Sequence, residues 1–313
     1  MPASSLPSKI GLALSGGGAK GAYQLGVFHA LNELRLLPRI RAVSGCSIGA
    51  LNALLFASGD PARWDAAWSS VGYSRFLVTD DEAKLPQVKE LIHALSRREE
   101  NISPVNIIRS YNLGVFSQRG LAELLYDYAD FGAVQNSSVD YFACCYNTRD
   151  YRPEYFRLND LPREEMVDAA LASAAIPFLY NPVRINGIAY ADGGINSPLY
   201  PSANADKIPV TPLAGLDCDL ILVVYLSQGD RADLSVLPEG MPVIELYPSQ
   251  PLEPAKGAGT LDLSRRSLAE RYSLGYRDTL VTLAPVFAGL LGGGDLAGLI
   301  AAQRGRSANP FDA

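Results

Sequence analysis

Two strand-to-helix passages near the start of the chain, each turning through glycines, most narrow what it can fold into. Ile10–Leu14 is a short apolar strand segment. Gly16-Gly17-Gly18-Ala19-Lys20-Gly21 follows closely and leads into a helix over residues 22–36, stopped by Pro38. The pattern repeats at once: a strand over 41–44, the turn Gly45-Cys46-Ser47-Ile48-Gly49, and an apolar helix over 50–57 that ends at Gly59. This succession predicts a parallel βαβ unit and hence an α/β chain, with both glycine turns at the carboxyl edge of one sheet.

A glycine loop opening a helix aims backbone N–H groups at negative charge. The first loop satisfies G-x-G-x-x-G, but a dinucleotide site also needs an acidic residue ending the second strand, where Ser44-Gly45-Cys46 stands instead. No G-K-[ST] follows, so a P-loop does not fit either. The second turn is a G-x-S-x-G nucleophile elbow in its required setting, strand before and helix after. Ser47 would stand at the helix N-terminus, where free N–H groups and the dipole favour an alkoxide. The charge the first loop awaits is then a transient oxyanion, with the amides of Gly17 and Gly18 as its donors.

The proton acceptor for Ser47 is constrained by a count of two histidines. In the α/β-hydrolase order His follows Ser and acid. His29 precedes Ser47, and His93 falls within a predicted helix, so both read as helix-surface or packing residues and a Ser-His-Asp triad does not fit. Asp192-Gly193-Gly194, directly after a strand over 188–191, supplies the alternative. An Asp-Gly turn alone is common; beside an elbow and an oxyanion loop it becomes a candidate base.

The ordered set of glycine loop, elbow, Ala172-Ser173-Ala174-Ala175-Ile176-Pro177 and Asp192-Gly193-Gly194 resembles the patatin-like phospholipases, lipid acyl hydrolases that work with a Ser-Asp dyad. The resemblance covers residues 9–205 as a catalytic region, with 206–313 a strand-and-helix continuation of the same fold ending in a flexible tail. It implies a three-layer α/β/α fold with a mainly parallel central sheet. It implies Ser47 as nucleophile, Asp192 as base and the amides of Gly16, Gly17 and Gly18 as oxyanion hole, with Gly21, Gly45, Gly49, Gly193 and Gly194 as motif glycines. It also implies neither cofactor nor metal, a phospholipid or lysophospholipid substrate, and peripheral contact with a membrane. Cys46 departs from the small Thr or Ala usual there, and one residue before the elbow tip its side chain is expected to pack away from the site. A catalytically weak lipid-binding module on the same fold and a dinucleotide-binding oxidoreductase stay open as alternatives.

The 313 residues suffice for one large domain or a domain with an appendage. With 27 basic against 33 acidic side chains the net charge is −6, which argues against nucleic acid. Arg97-Arg98 and Arg265-Arg266 read as solvated helix faces. The four cysteines show no C-x-x-C spacing, and Cys144 and Cys145 would alternate faces of a strand, so reduced thiols and a cytosolic setting are expected. Residues 1–9 lack signal-peptide features, and no charge-free apolar run reaches membrane-spanning length.

Farther along, helices are expected near 86–96 and 121–128. A loop-rich stretch carrying Asn101, Pro104, Asn112 and Gly114 separates them as a candidate mobile cover. Strands over 139–146, 154–158, 220–225 and 242–247, a helix over 164–175, a hairpin turning at Asn186-Gly187 and a helix over 264–290 complete the pattern. Gly292-Gly293-Gly294 precedes a last apolar segment over 296–302, and no internal repeat is evident.

Overall fold

The computed structural model describes residues 6–97, 103–194, 205–253 and 259–306. Arg98, Asn101, the first five residues and the polar tail past Arg306 fall outside them. The expected N-terminal unit is β1 (Ile10–Leu14), α1 (Ala22–Glu33), β2 (Ile40–Cys46) and α2 (Ile48–Phe56). A helical excursion follows: α3 (Pro61–Ser70), α4 (Tyr73–Phe76), α5 (Leu85–Arg97), α6 (Pro104–Tyr111), α7 (Arg119–Tyr128) and α8 (Phe131–Gln135). The chain then runs through β3 (Asp140–Asn147), β4 (Arg152–Arg157), α9 (Arg163–Ser173), β5 (Val183–Ile185) and β6 (Ile188–Asp192). It ends with β7 (Leu220–Val224), β8 (Val243–Leu246), α10 (Arg265–Leu291) and α11 (Leu296–Arg306).

Two expectations are corrected here. The stretch read as loop between α5 and α7 contains α6, because Pro104 occupies the first helical turn and Asn112, left-handed at φ 48°, closes the last. These breakers were punctuation of a helix. The helix over 22–36 stops at Glu33, since Arg35 turns left-handed at φ 59°. The Asn186-Gly187 hairpin forms as expected, with both residues at positive φ.

All eight strands among the described residues join one sheet. Its central run, β3-β2-β1-β7-β8, is parallel, while β4, β5 and β6 add antiparallel pairs at one end. Alternation along β1 and β7 sorts side chains between two cores. Leu12, Leu14, Leu222 and Val224 face the large core shared with α1, α2 and α10. Ala13, Ile221, Val223 and Tyr225 face a smaller one. That third layer is thin, covered among the described residues by short 3-10 turns at Thr211–Leu213 and Leu234–Val236. Helices α1 and α10 approach backbone to backbone at Gly26 and Gly275, where a Cβ would strike Tyr272 and Tyr23 main chain.

The register of β3 decides where the site can form. Along residues 142–147 one edge of β3 is taken by β4. Its other edge is therefore shared, with β2 over residues 140–144 and β6 over 145–147. Cys46 sits opposite Cys144 and Asp192 opposite Cys145. The end of β2 and the end of β6 thus meet head-on along one strand, bringing residues far apart in sequence onto adjacent rungs.

Candidate active site

Ser47 follows β2 directly and precedes α2, with φ 54° and ψ −123°, a backbone state that non-glycine residues rarely adopt. Holding it costs on the order of 1–3 kcal/mol, so the surroundings must over-determine it. They do. Gly45 lets the turn close against Gly49 and Ala50, and Gly49 lets α2 press on the Leu14 carbonyl; a Cβ at either would overlap backbone. The Ser47 N–H donates to Ser173 Oγ at 2.8 Å, and that hydroxyl donates to the Cys144 carbonyl at 2.6 Å. Ser173, fully buried at the end of α9, ties the elbow to β3. It belongs to the alanine-rich stretch noted in the sequence, yet its role in supporting the elbow was not legible there.

Asp192 is the last residue of β6 and is 7% exposed. Burial pushes its carboxyl up to about 6. Hydrogen bonds from the Ser47 hydroxyl and the Gly194 N–H, the Lys207 charge and the Cys46 thiol oppose that rise. The Gly194 N–H reaches Oδ1 at 2.9 Å, and the Asp192 N–H is held by the Ala175 carbonyl at 3.1 Å. Gly193 passes so close to the Cys144 carbonyl that no side chain fits. The structure thus brings the Ser47 hydroxyl near the Asp192 carboxylate, close enough to oppose the rise in its pKa. Desolvation makes this aspartate a stronger base than an exposed one.

Cys46 departs from expectation. It packs, fully buried, but its Sγ lies 3.9 Å from Asp192 Oδ1 and not away from the site. The bend into the elbow turns this last β2 side chain under the carboxylate. Burial pushes its thiol well above the ordinary range, so it stays protonated.

Within the first glycine loop, Gly18 takes φ 56° and begins a 3-10 turn, Gly18–Gly21, that runs into α1. Among the described residues the N–H groups of Gly17 and Gly18 have no backbone acceptor. The Gly16 N–H does have one, donating to the Lys207 carbonyl at 2.9 Å. Gly16 therefore brings its amide to the wall of the site and not to its interior. Gly21 gives α2 room, since a Cβ there would strike Ile48. The loop is braced by a buried network absent from the sequence reading: Gln24 Nε2 donates to the Ser15 carbonyl at 2.8 Å, Asn52 Nδ2 to Gln24 Oε1 at 2.7 Å, and Trp68 Nε1 to Asn52 Oδ1 at 3.1 Å. Polar residues inside otherwise apolar helices were the signal for it. A turn at Gly259–Leu261 sets the Thr260 carbonyl against Gly18, an acceptor where a pyrophosphate would need donors.

A cavity of about 60 Å³ opens between the elbow and the helical excursion. Gly18, Ser47, Ile48 and Leu51 form one wall; Trp68, Val71, Phe76, Leu121 and Leu124 form the other. Its lining is apolar apart from Ser47 and Arg75. Neither histidine lines it. His29 contacts Asp65 at 2.8 Å among the rings of Trp64 and Tyr272, and His93 is exposed on α5. Among the described residues no cluster of His, Cys, Asp or Glu has the makings of a metal site, and the four cysteines form no disulfide. No described helix is long and apolar enough to cross a membrane.

A family model described as Patatin-like phospholipase matches residues 12–202. YjjU of Escherichia coli is 25% identical over 223 residues, covering 70% of this chain and 52% of that protein. An NTE family protein of Mycobacterium tuberculosis is 28% identical over 220 residues, covering 70% and 49%. The chain spans about half the length of these curated relatives. Among solved structures, human GIVD cytosolic phospholipase A2 in complex with methyl gamma-linolenyl fluorophosphonate aligns at TM-score 0.47 and 14% identity, over 91% of this chain and 59% of that one. VipD from Legionella pneumophila aligns at TM-score 0.45 and 17% identity, over 88% and 67%.

Proposed function

Because this chain belongs to the patatin-like phospholipase family, we propose that it is a serine acyl hydrolase cleaving fatty-acyl esters of phospholipids or lysophospholipids. Ser47 is the nucleophile, Asp192 the general base, and the amides of Gly17 and Gly18 the oxyanion donors, Gly16 being engaged elsewhere. Residues 9–205 carry the chemistry, and 206–313 complete the fold around it.

The observation that carries this reading is a serine hydroxyl at a strained elbow beside a buried carboxylate whose burial raises it to about 6. Asp192 takes the hydroxyl proton as Ser47 Oγ attacks the ester carbonyl. The amides of the glycine loop meet the charge on the tetrahedral oxygen, an interaction worth roughly 10²–10³ in rate per donor. Collapse expels the alcohol or lysolipid, which takes the proton from Asp192. The carboxylate then activates a water that releases the fatty acid and returns the serine. A carboxyl near 6 is ionised at neutral pH yet basic enough to share a proton in the transition state.

The test is covalent labelling by a fluorophosphonate probe, followed by mass spectrometry of the modified peptide and of products from a mixed phospholipid and lysophospholipid panel. Label on Ser47, lost with turnover in Ser47→Ala, is the expected result. Turnover of a p-nitrophenyl ester by folded Ser47→Ala at near the wild-type rate would refute the assignment.

A further inference from the structure

A trans peptide unit is flat, so its carbonyl and the N–H of the next residue point in opposite directions, and holding one aims the other. The glycine loop contains three such units in a row. In the one joining Ser15 to Gly16 both ends are held: Gln24 Nε2 donates to the Ser15 carbonyl at 2.8 Å, and the Gly16 N–H donates to the Lys207 carbonyl at 2.9 Å. In the one joining Gly17 to Gly18, the Gly17 carbonyl accepts from the Lys20 N–H at 3.2 Å. The unit between them, joining Gly16 to Gly17, is held differently. Its carbonyl accepts from the Ser15 hydroxyl at 3.1 Å, and its N–H has no backbone acceptor among the described residues. Ser15 is fully buried, and its own N–H donates to the Val224 carbonyl at 3.1 Å, which extends the pairing of β1 with β7. Its hydroxyl therefore acts from a backbone anchored in the sheet. The loop lies close over the elbow, since a Cβ on Gly16 would come within 3.2 Å of Ser47 Cβ.

We propose that Ser15 is a positioning residue for the reaction: its hydroxyl holds the Gly16 carbonyl and so aims the Gly17 N–H at the oxygen that gains charge when Ser47 attacks. This rests on the reading of Ser47 as nucleophile and of the glycine loop as oxyanion hole. The plane that needs fixing is flanked by glycine on both sides, which offers little steric resistance to its rotation. The neighbouring planes are fixed by main-chain partners and by Gln24; this one is fixed by a hydroxyl that the reaction itself does not consume. Once that bond is gone the plane can turn, and a donor worth roughly 10²–10³ in rate is partly lost.

The test is Ser15→Ala, assayed for p-nitrophenyl ester hydrolysis and for inhibition by two compounds. One is an alkyl trifluoromethyl ketone. Its carbonyl carbon bonds Ser47 Oγ, the carbonyl electron pair moves onto oxygen, and the serine proton passes to Asp192, which leaves an oxyanion for the loop. The other is the ether analogue of the ester, which has no carbonyl. In Ser15→Ala, kcat should fall roughly 10- to 100-fold with KM within about twofold of wild type. The Ki of the ketone should rise by about the factor lost in kcat/KM, while that of the ether stays within about twofold. A role confined to stability would lower Tm and leave these constants, per folded enzyme, where they were. Should Ser15→Ala fail to fold, Ser15→Cys, close in size but a weak donor, is expected to show the same pattern. A folded variant with wild-type kcat overturns the positioning role and leaves Ser47 as nucleophile. So does a fall in kcat with unchanged affinity for the ketone, because the loss then lies outside the oxyanion. Wild type that shows neither hydrolysis nor fluorophosphonate label on Ser47 overturns the hydrolase reading and this inference with it.

Discussion

Replacing Asp192 by Asn should abolish turnover and stabilise the protein at once. Burial raises this carboxyl from its ordinary 3.8 to about 6. Most folded-state aspartates move the other way, so the sign matters. With the folded value above the unfolded one, the folded protein holds the proton more tightly between about pH 4 and 6. Stability therefore falls as pH rises through that window and stays lower above it. The interval is about two pH units, which at ~1.4 kcal/mol per unit makes the ionised carboxylate cost about 3 kcal/mol at pH 8. Asn has the shape of the protonated acid and keeps an acceptor for the Gly194 N–H, but carries no charge. For a chain of this size the relief corresponds to a rise in Tm of roughly 4–5 °C. By pH 4 both proteins present a neutral group, and the gap should shrink below ~1 kcal/mol. Differential scanning calorimetry of wild type and Asp192→Asn at pH 4, 6 and 8, with esterase assays alongside, measures this. Wild-type kcat/KM should fall as pH drops through about 6 while Asp192→Asn stays inactive throughout. A variant that melts at or below wild type at pH 8, or a gap that does not close on acidification, would refute the argument from desolvation. An active Asp192→Asn would refute the base itself.

Ser173→Ala removes the hydroxyl that joins the Ser47 N–H to the Cys144 carbonyl, stranding two buried backbone groups. It should cost about 2–4 kcal/mol in denaturant melts and lower kcat by ~10-fold or more with little change in KM, whereas Ser173→Thr should recover part of the rate. The double variant His29→Ala, His93→Ala should keep the bulk of its esterase activity, because His29 is engaged with Asp65 and His93 stands on an exposed helix face. A folded but inactive double variant would place a histidine in the chemistry.

Local rules made much of this protein legible before any coordinates. Gly16–Gly21 and Gly45–Gly49 each sit between an apolar strand and a helix, and Asn186-Gly187 turns a hairpin. These signals act over a few residues, so strand, turn and helix follow from backbone sterics alone. The same short range explains the misreading of Pro104 and Asn112, whose meaning as helix start and stop depends on what lies between them. The candidate nucleophile and base were legible as residue types in telling turns. That they meet was not, because their contact depends on β2 and β6 sharing one edge of β3 over consecutive residues. Only that pairing buries Asp192 beside Ser47 and turns Cys46 under the carboxylate. The apolar cavity beside the elbow likewise arises only when α3, α4 and α7 close over it, and burial of that kind is a property of the packed molecule.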